Sequence, residues 1–193
     1  MSAPTGLVRL DIYDRNSFER GRPRWIEALW LVAQCLFISS SLPGAAHRRW
    51  LLRAFGARIG QGVDIKPLVR VKFPWKLTVG DFSWIGESAW IDNLADVKIG
   101  AHCCISQGAY ICTGSHDWAK PSFDLITAPI EIKDGTWICA RSIVGLGVTT
   151  GEDSVLALGS VATHDLMPWS IYSGVPAIRI KARPPLPATR GRA

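Results

Sequence analysis

Four stretches of the chain repeat one another: RIGQGVDI from Arg58, TVGDFSWI from Thr78, KIGAHCCI from Lys98 and EIKDGTWI from Glu131. Ile59, Val79 and Ile99 stand 20 residues apart, and within each unit aliphatic residues recur every six: Ile59, Ile65, Val71; Val79, Ile85, Ile91; Ile99, Ile105, Ile111. After an interruption the steps resume as Ile132, Ile138, Val144, Thr150, Leu156 and Ala162. A step of six does not keep one face of a 3.6-residue helix. No helical segments separate the units, as a doubly wound sheet would need.

A second column supports the first. Four residues after the aliphatic positions come Val63, Val69, Ser83, Ala89, Ala95, Cys103, Ala109, Ser115, Thr136, Ser142, Val148, Ser154 and Ser160, nearly all small. Large and small residues that both face inward, with a tight corner at the small one, predict a triangular parallel β-helix. Its coils stack at the strand spacing of about 4.8 Å. Glycine after the aliphatic residue is expected to supply backbone freedom at the corner. About five coils fit between residues 59 and 173. Such a solenoid has open ends that need caps. Residues 1–58 can cover one end, and 175–193 can leave the coil and lie along a side, their prolines barring further ladder bonds.

The net charge of +6 is uneven: +5 in residues 1–58, −4 in 59–174 and +5 in 175–193. Basic ends suit phosphates or an anionic membrane surface. No nucleic-acid-binding motif accompanies them, so no nucleic-acid partner is expected. Arg190 and Arg192 also fit a plain solvated tail. Cys35, Cys103, Cys104, Cys112 and Cys139 are odd in number and form no CxxC pair, which reads as reduced cytosolic thiols used in packing. A zinc set of His102, Cys103, Cys104 and His116 lacks ligand spacing, so no metal is expected. The opening residues lack the plan of a secretory signal, and the expected location is cytoplasmic.

Residues 24–42 are mostly apolar, interrupted by Glu27 and Gln34, which fall on one narrow helical face. That run is too interrupted for a membrane span. The following AAHRRWLLRAFG predicts a basic amphipathic helix ending at Gly56. Two readings fit residues 24–55: a peripheral dock on the inner face of an anionic membrane, or helices packed on the solenoid or on a neighbouring subunit.

The interruption of the repeat is YICTGSHDWAKPSFDLI, residues 110–126. The interval from Ile99 to Ile132 is 33 residues, 13 more than a 20-residue coil, and the excess is expected as a loop at about 116–130. Long loops in compact domains are commonly functional. Together, TGSHD, DGTWI and SGVPA within residues 45–183 resemble the hexapeptide-repeat acyltransferases. They closely resemble the colanic acid biosynthesis acetyltransferase group, which stands beside the maltose, galactoside and nodulation-factor O-acetyltransferases. That resemblance implies an all-β, left-handed β-helix with a helical front and a tail. It also implies a homotrimer with active sites between neighbouring solenoids, acetyl-CoA as donor, and a sugar or glycolipid acceptor in exopolysaccharide biosynthesis.

An alcohol that attacks a thioester must lose its proton, and an imidazole can take it at neutral pH. His116 is the expected general base, with direct attack and no acyl-enzyme. The group that orients it is left open, since Asp117 is adjacent only in sequence. By the resemblance, Asp92 and Asn93 would bind acceptor, or serve as polar corner residues. Trp137 and Ala140 would line the pantetheine arm, Leu158, Gly159 and Ser160 would offer it backbone groups, and Thr163 and His164 would continue along it. Lys181, with Arg179 or Arg183, would face the CoA phosphates. His47 and His102 read as solvated positions. Two rivals remain: a non-catalytic scaffold in a polysaccharide assembly complex, and a γ-type carbonic anhydrase, whose close histidine pair is missing here.

Overall fold

The structure is a computed structural model that describes residues 6–14 and 18–185. Arg190 and Arg192 lie outside the described residues. The chain winds into a three-sided parallel β-helix, left-handed as the resemblance implied. The first face stacks Arg58–Ile59, Leu77–Val79, Val97–Ile99, Ile130–Ile132 and Thr149–Thr150. The second stacks Asp64–Ile65, Trp84–Ile85, Cys104–Ile105, Trp137–Ile138, Val155–Leu156 and Ser170–Gly174. The third stacks Arg70–Val71, Trp90–Asp92, Tyr110–Cys112, Ile143–Val144 and Val161–Ala162. That makes five complete coils and part of a sixth, which continues through the bridge between Thr150 and Leu166.

Register is like on like. Ile65, Ile85, Ile105, Ile138, Leu156 and Tyr172 form one inward column on the second face. Ile85, Ile105 and Ile138 are fully buried. Burial of one such side chain stabilises by about 1.5–3 kcal/mol, and the column repeats it at every level. The small column holds at most corners, where Val63, Ser83, Ala89, Ala109, Thr136 and Ser142 are buried. It fails at Ala95 and Ser115, which are only half-buried. The 20-residue coils carry two extra residues at the corner after the third face. There Phe73, Asn93 and Thr113 turn inward instead. Asn93 is fully buried; its Oδ1 accepts from Phe73 N at 3.0 Å and its Nδ2 donates to Phe73 O at 2.7 Å. Both halves of the amide thus bracket adjacent coils, the polar-corner role that was the alternative to acceptor binding.

The glycine after each aliphatic residue also has a different cause from the one expected. Gly80 does not adopt a positive φ; a Cβ there would lie 2.6 Å from the Gly100 carbonyl carbon and from Ala101 N in the next coil. Close stacking demands glycine. The left-handed conformation falls two residues later, at Gly62, Phe82 and His102.

The N-terminal end of the coil is closed by helix α1 (Arg24–Ala33), which runs on as a π-helical turn over Gln34–Ile38, and by helix α2 (Ala46–Ala54). Trp30 is fully buried, and its Nε1 donates to Val71 O at 2.8 Å, while Gln34 Oε1 accepts from Val71 N at 2.6 Å. The basic residues of α2 face the coil. Arg49 donates to Val63 O, and Arg53 donates to Ile59 O and Gly60 O. Arg48 is fully buried and donates to the carbonyls of Ile38, Ser40, Leu42 and Gly44. These arginines therefore satisfy backbone carbonyls that the open end and the helix link would leave bare, rather than facing lipid. No described helix is long and apolar enough to cross a membrane.

The tail departs from expectation. Ala177–Ala182 turns back and pairs antiparallel with Ser170–Gly174, so ladder bonds continue on the second face. The prolines that could bar pairing, Pro184 and Pro185, follow the strand. Arg183 latches the tail: its Nη1 donates to Gly135 O and Asp153 O at 3.1 and 2.9 Å.

Three outcomes follow from this packing. Arg48→Ala leaves four carbonyls without their donor and lowers stability by about 3 kcal/mol or more, read as a lower urea midpoint at unchanged slope. Asn93→Leu strips partners from Phe73 N and O and costs about 2 kcal/mol in the same titration. Burial pushes the Cys103 and Cys139 thiols up to about 11. Both stay protonated at pH 8, so a thiol reagent labels exposed Cys35 first in the native protein. Because these folded values lie above the ordinary thiol range, the stability contributed by the neutral thiols is complete below about pH 8.5 and is lost as pH rises toward 11.

Candidate functional site

The excursion leaves the corner between the third and first faces as a two-stranded antiparallel hairpin, Gly114–His116 against Leu125–Thr127, rather than as an irregular loop. Gly114 faces Thr127, Ser115 faces Ile126 and His116 faces Leu125. Ladder bonds thus extend outward from the coil and carry His116 on a rigid strand. Gly114 permits the departure, since a Cβ there would lie 2.6 Å from Leu94 Cδ1.

His116 is half-buried. Its Nδ1 lies 2.8 Å from Phe123 O, and its ring stacks on the Phe123 ring at 4.3 Å with 3° between planes. A carbonyl oxygen only accepts, so Nδ1 carries the proton and Nε2 is the basic nitrogen. The Tyr13 ring meets the imidazole edge-on at 5.6 Å, and Arg9 N donates to Pro121 O at 2.7 Å, so residues 7–14 strap across the hairpin. Asp117 does not hold the ring: its carboxylate accepts from Ala119 N and pairs with Lys120. Phe123 and Tyr13 carry no signal in the repeat. One sits within the interruption, and the other is about 100 residues away in sequence.

One coil below the hairpin, Asp92 is half-buried and accepts a hydrogen bond from the Tyr110 hydroxyl at 3.0 Å. Tyr110 stacks on Trp90 at 4.7 Å, and the Arg70 guanidinium lies over Trp90 at 4.2 Å. Burial first, then Cys112 and Asp92, pushes the Tyr110 hydroxyl well above the ordinary phenol range, so it remains a donor. The 20-residue register, which places Arg70, Trp90 and Tyr110 in one outward column, is the signal that could have found this ladder.

The residues expected at the donor fall elsewhere. Trp137 points outward from the second face, 46% exposed, with Nε1 donating to Ser106 Oγ at 2.9 Å. It lines an open groove of about 650 Å³ with Trp84, Cys104 and Arg183. Ala140 and Gly159 occupy successive levels of the corner between the second and third faces, Gly159 N donating to Ala140 O, and Leu158 is exposed beside them. Lys181 is exposed on the antiparallel tail strand. Ser160 is 1% exposed; its N bonds Ala157 O, its O accepts from Ile143 N, and its Oγ accepts from Gly174 N. Arg179 donates to Ser170 Oγ, and Arg183 is spent on its latch. Thr163 and His164 share the hairpin's corner higher up, with Thr163 Oγ1 3.0 Å from His164 Nδ1. His102 stacks on Phe82 at a corner of the second face, away from the hairpin, and His47 is half-buried with Nε2 unpartnered.

The chain therefore holds two separate sets. Asp92, His116, Thr163 and His164 gather at the corner between the third and first faces. Trp137, Ala140, Leu158, Gly159 and Lys181 gather on the second face and its junction with the third.

No family model matches the chain. It is 37% identical over 168 residues to the "Putative colanic acid biosynthesis acetyltransferase WcaF" of Escherichia coli K12, an alignment that covers 87% of this chain and 92% of the relative. It is 26% identical over 132 residues to the galactoside O-acetyltransferase of the same organism, covering 67% and 65%. Among solved structures, a hexapeptide-repeat-containing acetyltransferase from Vibrio cholerae complexed with acetyl coenzyme A superposes with a TM-score of 0.77 at 26% identity, covering 84% of this chain and 89% of that one. A galactoside acetyltransferase in complex with coenzyme A shares the fold, with a TM-score of 0.75 at 21% identity over 83% and 82%. A six-residue step, coils in strict register and a histidine hairpin at one corner thus coincide with close sequence kinship, and the chain belongs to the hexapeptide-repeat acetyltransferases of the colanic acid group.

Proposed function

We propose that the protein transfers an acetyl group from acetyl-CoA to a hydroxyl of a sugar in exopolysaccharide assembly, with His116 as general base. The observation that carries this reading is the bond from His116 Nδ1–H to Phe123 O, which leaves Nε2 as an acceptor on a rigid hairpin. The acceptor hydroxyl gives its proton to Nε2 as its oxygen attacks the thioester carbonyl. The tetrahedral oxyanion collapses, the C–S bond breaks, and the imidazolium returns the proton to the departing thiolate, giving the acetyl ester and free CoA thiol. The Phe123 carbonyl favours the imidazolium that forms between the two transfers. Asp92, steadied by the Tyr110 hydroxyl, accepts a hydrogen bond from the acceptor, and the outward rings of Trp90 and Tyr110 offer a face to a pyranose.

Trp137, Ala140, Leu158, Gly159, Thr163, His164 and Lys181 serve the donor in this reading. Most of them lie on a different face from His116, so one chain does not assemble a whole site. A homotrimer that sets the second face of one solenoid against the hairpin of the next does. Residues 1–58 form its cap and 175–193 its tail. On α1 and the π-helical turn that continues it, Trp25, Leu29, Val32 and Leu36 stand at steps of four, three and four, each more than half exposed, and Trp50 of α2 is 69% exposed. This stripe is the peripheral membrane contact, now carried by apolar side chains rather than by the arginines.

His116→Ala lowers kcat about 10²- to 10⁴-fold in a thiol-release assay with acetyl-CoA and a sugar panel, while CoA affinity stays within twofold. A variant as active as its parent removes the mechanism. Leu29→Glu with Val32→Glu abolishes sedimentation with anionic vesicles; a parent protein that ignores such vesicles at low salt returns the stripe to subunit packing.

A further inference from the structure

Three grooves on one side of the molecule run into one another. The first, about 270 Å³, is walled by Tyr13, whose ring edge meets His116, and by Leu125, which pairs with His116 across the hairpin. It shares Phe18, Leu94 and Leu125 with a second groove of about 560 Å³. The second shares Lys76 and Asp96 with a third of about 300 Å³. The third groove is lined by Arg22, Arg58, Lys76 and Lys98, with Asp96 as its one carboxylate.

These cations are not equivalent. Lys76 is committed: its Nζ donates to Glu19 O and Leu94 O at 2.9 and 2.6 Å. Among the described residues, no hydrogen bond or ion pair ties down Arg22, Arg58 or Lys98. Arg58, Thr78 and Lys98 are successive members of one outward column on the first face. The strand spacing sets neighbouring backbones about 4.8 Å apart, so a basic side chain follows Thr78 in the column on either side. Glu131 follows Lys98 in the column, but its carboxylate is held by Lys133 at 2.8 Å. A hydroxyl flanked by two cations that make no hydrogen bond or ion pair among the described residues, with a third cation, Arg22, at the groove, is the chemistry of a phosphate seat. It lies on the first face, away from the residues assigned to the donor.

We infer that the acceptor reaches His116 as a glycosyl phosphate or diphosphate, its sugar along the first and second grooves between Tyr13 and Lys76 and its phosphate on Arg58, Thr78, Lys98 and Arg22. The inference rests on the sugar O-acetyltransferase reading. Two carriers share this chemistry, a nucleotide and a lipid, and Arg22 lies three residues before Trp25, where the outward apolar stripe of α1 begins.

Calorimetry of the full chain with inorganic pyrophosphate, at low salt and with saturating CoA to fill the donor site, tests the seat without turnover. One site is expected, weakened at least tenfold by Arg58→Ala with Lys98→Ala and unchanged by Lys66→Ala, whose partner Asp64 lies on the second face. Equal binding by parent and double variant overturns the seat, whether or not any sugar is acetylated. In the thiol-release assay, pyranoses are supplied free and as 1-phosphates. The phosphates show a KM at least tenfold lower, and that ratio falls toward one in the double variant. Equal KM for both forms overturns the inference and leaves O-acetyl transfer intact. A rise in the KM for acetyl-CoA alone assigns the groove to the donor and also overturns it. Nucleotide-diphosphate and short-chain polyprenyl-diphosphate sugars, compared side by side, identify the carrier by the lower KM.

Discussion

Strict register between stacked coils is the constraint on which the molecule depends. The inward columns stack aliphatic on aliphatic through most levels, so a slip of one residue would turn a whole column outward. Stacking this close also dictates what cannot be present. Gly60, Gly80 and Gly100 recur because the neighbouring coil leaves no room for a Cβ. Register thus constrains both the interior and the backbone at the corners, and it makes the outward columns repeat as well. Arg70, Trp90 and Tyr110 form a ladder for the same reason that Val71, Ile91 and Ile111 do.

A stack of this kind ends abruptly, with a ring of backbone groups that the next coil would have bonded. The N-terminal segment answers this with side chains of the right polarity. Trp30 and Arg49 donate to coil carbonyls, Gln34 accepts from a coil N–H, and Arg53 closes Ile59 and Gly60. The arginines of α2 are therefore explained by hydrogen bonding rather than by a charged surface. Once their heads are committed, the exposed character of this end is set by the apolar stripe of α1.

Most of the fold was legible because a six-residue step admits few architectures. The two core columns, the position of the break and the capping helices all follow from spacing. What escaped has a physical cause in each case. The purpose of the corner glycines was invisible because close approach and positive φ leave the same letter in the sequence. The hydrogen bonds of Asn93 to Phe73 and of Ser160 to Gly174 leave no trace in the sequence, where both are simply polar residues at corners. The tail's prolines argue against further pairing, yet a six-residue strand with five paired positions precedes Pro184. At the site, the sequence marked His116 and Asp92, whereas their supports are a backbone carbonyl, a ring from a distant strap and a tyrosine one coil higher.

The interruption now has a structural reason. A residue inside the regular coil has two orientations, inward to a dry core or outward on a flat face, and neither surrounds an imidazole. Leaving the coil as a hairpin gives His116 three neighbours that a flat face would lack: a stacked ring from Phe123, the same residue's carbonyl at Nδ1, and the edge of Tyr13. Because the hairpin's own ladder bonds are satisfied, it stands off the prism without the entropy of an irregular loop of equal length. The imidazole is held in one tautomer before any ligand arrives. In the proposed mechanism, a base that must meet a hydroxyl and a thioester in one geometry loses least when its position is fixed in advance.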